Sequence, residues 1–325
     1  MNNFWQKLER PIMVLAPMAD VTDVAFRRII AKYGKPDVMW TEFVSADGLA
    51  LAPEAGQRKL LKDLEYSEAE RPIVAQFFTS SPEHMKGAAE LAAKLGFDGV
   101  DINMGCPDKS VEKQRAGASL MKNVSLAREL IRAAKEGAPN LPISVKTRTG
   151  YSRPDLENWL PEILKEDLAI VTIHARTRKE MSKAPTRWEF VRRAIEMRDL
   201  SGKETLIFGN GDVKNLKEAR MRARETGCYG VMLGRAIFGN PWLFAEGEIP
   251  TTKEKLRVLV EHTQLFEKLL GEYKNFAIMK KHFKAYVISF DGAGDLRAKL
   301  MDTNNANEVE AVVNDFLLYY SHESR

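Results

Sequence analysis

Eight short apolar runs, spread evenly over the first 245 residues, constrain the fold more than any other feature of the sequence. Each run has five or six residues, is rich in Val, Ile and Phe, and lacks the alternation of a half-buried strand. Such runs are typical of strands that are buried on both faces of a parallel sheet. They lie at 12–16, 38–43, 73–78, 99–103, 143–147, 169–174, 205–209 and 230–234.

Helix signals separate these runs. Ser81-Pro82 followed by Glu83 predicts a helix N-terminus. Similar starts lie near Thr22, Asn123, Pro154, Thr186 and Asp212. Successive run midpoints are about 31 residues apart on average, a spacing that suits one βα unit. Eight such units predict an α/β fold, a closed (β/α)8 TIM barrel. An open doubly wound sheet is the alternative, but no GxGxxG motif follows the first run.

The pattern changes after GEIPTT (247–252). Strand-like runs stop there, and apolar residues recur at helical spacing in three stretches. We therefore predict a barrel domain over residues 1–246 and a small all-helical domain over residues 250–325.

The composition excludes several classes of protein. The 49 Lys and Arg residues barely outnumber the 45 Asp and Glu residues, so the net charge of +4 permits a polyanionic partner without requiring one. Two cysteines, Cys106 and Cys228, cannot frame a disulfide scaffold, and no apolar stretch approaches the roughly 18 residues of a membrane span. CxxC and HExxH motifs are missing and the five histidines are scattered. We expect a soluble, cytoplasmic, monomeric protein without a metal.

Polar side chains follow the apolar runs where each predicted strand ends. In a barrel these ends meet at one rim, where the reactive residues of this fold lie. A lysine or histidine without a partner would be costly inside an apolar barrel, so their convergence indicates a bound polar ligand. The rim residues are Glu42, Gln76, Asn103, Cys106, Lys146, Arg148, His174, Arg176, Asn210, Asp212 and Arg235.

Two loops at this rim have the composition of phosphate-binding loops. GNGD (209–212) follows the seventh run and is predicted to open a helix at Asp212, and LGRAIFGNP (233–241) follows the eighth. Glycines let backbone amides approach an anion, a helix N-terminus favours negative charge, and Arg235 can add a bidentate contact. The alternative is that these glycines only make tight turns.

Gln76, Lys146 and His174 together suggest a flavin ring at the rim. Lysine can stabilise the anionic edge of a reduced flavin, and glutamine can bind its pyrimidine-like edge through hydrogen bonds. The alternatives are a lysine that extends to solvent and a histidine that is satisfied in the core.

Cys106 follows the fourth run, in DINMGCPDKS (101–110). Gly105 frees the backbone before it and Pro107 fixes the backbone after it, so the thiol is displayed on a defined turn. A thiol with a pKa of about 8.5 is protonated at neutral pH and can donate a proton. A nucleophilic role stays open, although no base lies beside it in sequence. Cys228 has the setting of an inert, buried cysteine.

The segment around Cys106 and five others resemble the tRNA-dihydrouridine synthases, for which the GCP turn after a DINMG strand is characteristic. The segments are APMADVTDVAFRRI (16–29), DINMGCPDKSVEKQRAGASLMKN (101–123), SVKTRTGY (144–151), IHARTRKE (173–180), FGNGDV (208–213) and VMLGRAIFGNPWLF (231–244). The resemblance implies an FMN-binding TIM barrel followed by a helical tRNA-binding domain. One departure is SKAPTRW (182–188), where the family commonly has a glycine and Ala-Asp-Trp.

The resemblance also implies a role for each matching residue. It implies FMN contacts from Ala16, Pro17, Met18, Gln76, Lys146, His174, Asn210, Gly211, Asp212, Gly234 and Arg235. Cys106 matches the proton donor, and Asn103 lies close to the substrate uracil. In the implied chemistry NADPH reduces FMN, the flavin N5 passes a hydride to C6 of the uracil, and Cys106 protonates C5. C6 is unreachable inside a base stack, so the uridine must be extruded from a folded tRNA.

Local charge agrees with an RNA partner. Residues 109–135 and 174–193 each carry a net charge of +5, and residues 274–299 carry +4. These stretches follow the catalytic strand ends or lie in the helical domain, as an RNA-facing surface requires. We predict RNA contacts from Arg176, Arg178, Lys280, Lys281 and Lys284.

Two other functions compete with tRNA reduction. An FMN barrel that reduces a small molecule would need neither the basic helical domain nor a cysteine in a GCP turn. A non-catalytic RNA-binding barrel would not need the complete set of flavin positions, and a yellow colour on purification would disfavour it.

Overall fold

The computed structural model describes residues 4–247 and 249–323. Its strands coincide with the eight predicted runs to within two residues at each end. They are β1 (Ile12–Leu15), β2 (Met39–Ser45), β3 (Ile73–Phe78), β4 (Gly99–Met104), β5 (Ile143–Arg148), β6 (Ile170–His174), β7 (Leu206–Asn210) and β8 (Gly230–Leu233). Almost every strand residue is buried, as the lack of alternation predicted.

The strands form one parallel sheet in the order β1-β8-β7-β6-β5-β4-β3-β2. β1 pairs with β8 from Ile12 opposite Gly230 onward, and a parallel bridge between Val14 and Val38 brings the start of β2 back to β1. The sheet therefore curls round on itself. This confirms the predicted (β/α)8 TIM barrel.

Helices follow the strands and continue beyond the barrel. In the described residues they are α1 (Val24–Tyr33), α2 (Ala46–Leu51), α3 (Glu54–Asp63), α4 (Pro82–Lys94), α5 (Lys109–Lys113), α6 (Val124–Gly137), α7 (Leu156–Leu164), α8 (Glu189–Leu200), α9 (Leu216–Thr226), α10 (Thr252–Leu270), α11 (Met279–Tyr286), α12 (Ala293–Met301) and α13 (Ala306–Glu323). Ser81 and Asn123 cap α4 and α6, as predicted. The sequence did not predict α2, α3, α5 or α12.

Large aromatic side chains fill the end of the barrel where the strands begin. Trp5 is buried there, 5.7 Å from the ring of Trp40 and 5.8 Å edge-on from that of Phe208. This end is closed by an apolar core, so a polar ligand finds access at the opposite rim.

The helices after the barrel pack on α1. His262 of α10 stacks on Phe26 at 4.7 Å, His282 of α11 meets the same ring edge-on at 4.9 Å, and all three side chains are buried. Burial lowers the pKa of both histidines, so they are neutral and act as apolar rings. The limits of the two predicted domains stay a prediction. They include residues 1–3 and 324–325, which lie outside the described part of the chain.

A buried ionic cluster joins the helical segment to the barrel. Lys274, just after α10, places Nζ 2.7 Å from Glu42 Oε2 of β2 and 2.9 Å from Asp63 Oδ1 of α3. The Lys274 and Glu42 side chains are only 6% and 5% exposed. Burial raises the pKa of Glu42 to about 7 even though Lys274 lowers it. Burial alone would lower the pKa of Lys274, but the charges of Glu42 and Asp63 outweigh burial and raise it.

None of the helices in residues 4–247 and 249–323 is both long and apolar enough to cross a membrane. Over the same residues, no three His, Cys, Asp or Glu side chains are grouped so that they could hold a metal ion.

Candidate active site

A cavity of about 280 Å³ opens at the rim formed by the C-terminal ends of the strands. The structure brings fifteen of the sequence-predicted residues into its lining, Arg148 of the predicted rim among them. The others are Ala16, Pro17, Met18, Gln76, Asn103, Cys106, Lys146, His174, Arg176, Asn210, Gly211, Asp212, Gly234 and Arg235. Strands from all around the barrel contribute, because the carboxyl ends of parallel strands point to the same side.

Gln76 is held at the floor of the cavity by a chain of hydrogen bonds. Its Nε2 donates to Asp101 Oδ2 at 2.5 Å, and its Oε1 accepts from Asn103 Nδ2 at 3.0 Å. Ser144 Oγ donates to the other oxygen of Asp101 at 2.5 Å. Burial raises the pKa of Asp101 to about 6, while the hydrogen bonds from Ser144 and Gln76 oppose the rise. These partners fix which end of the Gln76 amide is donor and which is acceptor.

Asn103 shapes the turn that carries Cys106. Its Oδ1 accepts hydrogen bonds from the backbone N–H groups of Gly105 at 3.1 Å and Cys106 at 2.9 Å. On the far side of the turn, the N–H of Ala118 donates to the carbonyl of Cys106 at 2.9 Å. Asn103 was predicted to lie close to the substrate. Its side chain also organises the turn, which the sequence did not indicate.

The Cys106 thiol is half-buried in the cavity wall. Burial raises its pKa, so the thiol holds its proton at neutral pH. Within the described residues, no hydrogen bond joins Sγ to a His, Asp or Glu side chain that could act as its base. The geometry therefore favours a proton donor over an activated nucleophile.

Lys146 and His174 face the cavity in opposite protonation states. Burial and the nearby Arg148 lower the pKa of Lys146 to about 8, and no described protein group accepts a hydrogen bond from its Nζ. Burial, with Lys146 next in importance, lowers the pKa of His174 far enough to keep its ring neutral. His174 Nε2 lies 3.4 Å from Arg176 Nη1, so it accepts from that guanidinium. The Lys146 ammonium, which has no hydrogen-bond acceptor among the described residues, can therefore bind a negatively charged group.

The two predicted phosphate loops meet around Asp212. Its carboxylate pairs with the guanidinium groups of both Arg176 and Arg235. The prediction that a helix opens at Asp212 was wrong. Asp212 has a left-handed backbone with φ of 52°, and the helix begins only at Leu216, capped by Asn215. The loop thus presents backbone amides and arginines at this point, and not the N-terminus of a helix.

The glycines of the loop at 209–212 are required because neighbouring side chains pack closely against them. A Cβ on Gly209 would lie 2.2 Å from the ring of Trp188, and one on Gly211 would lie 2.6 Å from Thr186. Gly211 also has φ of 133°, and its carbonyl accepts a hydrogen bond from Trp188 Nε1 at 3.2 Å. These residues thus let Trp188, from the loop after β6, close against β7.

Four predicted substrate contacts do not line the cavity. Arg178 is turned away from it and pairs with Glu112. On α11, Lys281 and Lys284 are exposed and Lys280 is half-buried, opposite the buried face of that helix. Several lining residues were not assigned to a ligand from the sequence, and nearness to a strand end is the main signal that could have found them. They are Phe43, Gly105, Pro107, Ser182, Val213 and Met232.

Comparison with known proteins adds family membership to this geometry. The sequence profile of the family described as "Dihydrouridine synthase (Dus)" matches residues 14–319. The chain belongs to the dihydrouridine synthase family. It is 40% identical over 317 residues to a "Probable tRNA-dihydrouridine synthase" of Staphylococcus aureus (strain COL), covering 97% of this chain and 95% of the relative. It is equally similar to the "Probable tRNA-dihydrouridine synthase 2" of Bacillus subtilis (strain 168), with 97% and 96% covered.

Solved structures support the fold. A 2-naphthoyl-CoA reductase complex superposes with a TM-score of 0.54 at 13% identity, covering 71% of this chain and 49% of the other. A histamine dehydrogenase from Rhizobium sp. 4-9 gives a TM-score of 0.51 at 13% identity, covering 78% and 48%. At this identity the likeness concerns the barrel and not the reaction.

Proposed function

We propose that this protein reduces a uridine of tRNA to 5,6-dihydrouridine, using FMN and NADPH. One observation carries the proposal: Cys106, protonated and half-buried, shares a single cavity with Lys146 and Gln76, the residues expected to bind a flavin. The names of the Staphylococcus aureus and Bacillus subtilis relatives support tRNA as the substrate.

The donor set of the cavity fits FMN. The Lys146 ammonium, without a protein acceptor among the described residues, would meet the electron-rich edge of the ring, and the oriented amide of Gln76 would bind the polar edge beside it. The phosphate would take Arg235 and the backbone of the loop that contains Gly234. The chemistry that bound FMN supplies is hydride transfer, from NADPH to C6 of the uracil.

The chain itself supplies the proton for the reaction and the cavity that receives the uracil. Reduction of the C5–C6 bond leaves negative charge on C5 and O4, and Cys106 Sγ is the acid that protonates C5. His174 is neutral. The guanidinium of Arg176, which also pairs with Asp212, carries a positive charge that can stabilise the developing negative charge. A base can reach this cavity only after extrusion from its stack.

A direct assay tests the proposed function. Purified protein reconstituted with FMN is incubated with NADPH and tRNA from cells that lack this gene, and digested nucleosides are analysed by mass spectrometry. We expect dihydrouridine to appear at a defined position and only when all components are present. Flavin reoxidation by a small enone or orotate, with no effect of tRNA, would instead indicate a small-molecule reductase. RNA binding without flavin would indicate the non-catalytic barrel.

The pKa of Lys146 predicts a pH dependence of FMN binding. In the free protein this pKa is about 8, and the electron-rich edge of a bound flavin ring would raise it. FMN affinity should therefore fall as pH rises above about 8, by up to tenfold per pH unit, because the charged form binds and the neutral form does not. Quenching of flavin fluorescence at pH 7, 8 and 9 measures this. Lys146→Met should bind more weakly at pH 7 and show little slope; equal slopes in both proteins would contradict the assignment.

The three lysines of α11 predict a salt-dependent interaction with RNA. Lys280, Lys281 and Lys284 lie outside the face that buries Met279 and Phe283. Replacing all three lysines by alanine should weaken tRNA binding and reduce the salt slope by up to about three, near 0.7–0.9 for each phosphate that is no longer neutralised. Affinity measured against salt concentration for both proteins gives the slope.

A matched triple variant controls for the removal of three positive charges. Lys35, Lys94 and Lys203 precede strands and lie at the opposite end of the barrel. Their replacement by alanine should leave the slope nearly unchanged, and NADPH oxidation by bound flavin should be unaffected in either variant. Superimposable lines for the α11 variant and the unmodified protein would show that this helix does not face the RNA.

A further inference from the structure

The loop after β6 lies against the turn that carries Cys106. The contact begins with Arg148, the last residue of β5, whose side chain is nearly inaccessible to solvent. Its Nε donates to the carbonyl of Gly105 at 2.7 Å, and its Nη1 donates to the carbonyls of Thr177 and Met181, both at 3.1 Å. One buried guanidinium thus ties the residue before Cys106 to residues 177–181.

A second arginine, Arg178, holds the other side of the turn. Its Nε donates to Glu112 Oε1 at 2.9 Å, and its Nη2 pairs with the second oxygen of the same carboxylate. Nη2 also lies 3.4 Å from the carbonyl of Pro107. Glu112 belongs to α5, the helix that follows directly on the Cys106 turn. The two-point contact fixes orientation as well as distance.

Arg178 is itself pre-positioned. Its backbone N–H donates to the carbonyl of Gly150 at 2.9 Å, and its guanidinium lies 5.4 Å from the ring of Tyr151. Lys122 Nζ is 3.6 Å from the same ring. Tyr151 therefore contacts both cations and restricts the path of Arg178 towards Glu112.

The loop that presents Arg178 is closed by its own contacts. The backbone N–H of Thr177 donates to Glu180 at 2.6 Å, and Arg187 pairs with the same carboxylate group at 2.6 Å. The N–H of Arg187 returns to the carbonyl of Ala175 at 2.9 Å. Residues 175–187 thus form a loop that is held by internal hydrogen bonds and an ion pair. The loop contains part of SKAPTRW (182–188), the segment that departs from the family pattern.

We propose that Arg178 and Glu112 are positioning residues that hold the Cys106 turn so that its thiol faces the cavity. Neither side chain lines the cavity, so both act through the turn. The effect of this restraint on protonation of the uracil rests on the proposed function. The restraint of Cys106 by the Arg178–Glu112 pair is independent of the proposed function. The RNA contact of Arg178 stays a prediction; in the structure its guanidinium pairs with Glu112.

Alkylation of Cys106 tests the restraint without any assay of activity. Glu112→Gln keeps the size of the side chain and removes its charge, and Glu129→Gln is a matched control on the exposed face of α6. Iodoacetamide modification of Cys106, followed by peptide mass spectrometry, should be at least about threefold faster in Glu112→Gln and unchanged in Glu129→Gln, because a loosened turn exposes the thiol. The buried Cys228 reports any global unfolding.

A charge-swapped variant and single-turnover kinetics complete the test. Glu112→Gln should retain FMN content, reduction by NADPH and tRNA affinity, while dihydrouridine formation falls by about ten- to a hundredfold, since small displacements of a reacting group are costly. Arg178→Glu combined with Glu112→Arg should restore slow alkylation and much of the rate. An alkylation rate that is unchanged in Glu112→Gln, or not restored by the swap, overturns the inference. Altered alkylation in a protein that forms no dihydrouridine even when unmodified would overturn only the proposed function.

Discussion

A Cys106→Ala protein is expected to bind FMN and to accept electrons from NADPH at the unmodified rate, yet to form dihydrouridine at least about a hundredfold more slowly. The thiol contributes nothing to the phosphate or ring contacts, and a proton donor is required only once charge builds on the uracil. Loss of a positioned general acid typically costs about 10²–10⁴ in rate. Anaerobic flavin reduction, followed by addition of tRNA and analysis of nucleosides, separates the two half-reactions.

The matched control is Cys228→Ala. This thiol is buried before β8 and lies 3.2 Å from the carbonyl of Gly230, away from the cavity. Its removal should leave both half-reactions unchanged. Dihydrouridine formation at the unmodified rate by the Cys106→Ala protein would exclude the thiol as the proton donor and direct attention to Arg176 or to solvent.

The strands could be predicted from the sequence because each is buried on both faces. The run at 73–78 coincides with β3 residue for residue, and the other seven differ from their strands by at most two residues at either end. A parallel barrel needs this pattern in every strand, so eight runs with one spacing leave few other folds. Helices that are largely exposed, such as α3, left no comparable signal.

Most of the cavity lining could be predicted for the same geometrical reason. Once β5 and β6 are placed, Lys146 and His174 must lie near the same rim. Contacts between loops could not be predicted in this way. Arg178 and Glu112 are 66 residues apart, and Lys274 and Glu42 are 232 apart. Such pairs depend on the paths of loops, which the periodicity of apolar residues does not indicate.

The mistaken helix start at Asp212 shows a limit of local signals. Gly211 and Asp212 follow β7 directly and have the composition of a helix cap. Trp188 packs over Gly209, however, and the chain turns through positive φ at Gly211 and Asp212 before the helix can begin at Leu216. A contact from a distant loop therefore decided the local backbone conformation.

The largest loss of stability is expected from Lys274→Met. This change leaves the carboxylates of Glu42 and Asp63 buried beside each other without their cation. Removing one partner of a buried ion pair costs about 3–5 kcal/mol, far more than loss of an exposed pair. Unfolding in urea measures the change in free energy. Lys268→Met, an exposed position on α10, is the matched control and should change stability by less than about 0.5 kcal/mol.

The pH dependence of that loss identifies its cause. Burial already raises the pKa of Glu42 from its ordinary value of 4.5 to about 7 with Lys274 present, and without Lys274 the rise is greater. A carboxyl whose pKa is higher in the folded protein stabilises it below the unfolded pKa, and this stabilisation is lost as pH rises through the folded value. The deficit of Lys274→Met should therefore be larger at pH 8 than at pH 5, where Glu42 is neutral in both proteins. A deficit that is the same at both pH values would contradict the loss of the pairing with Glu42 as its cause.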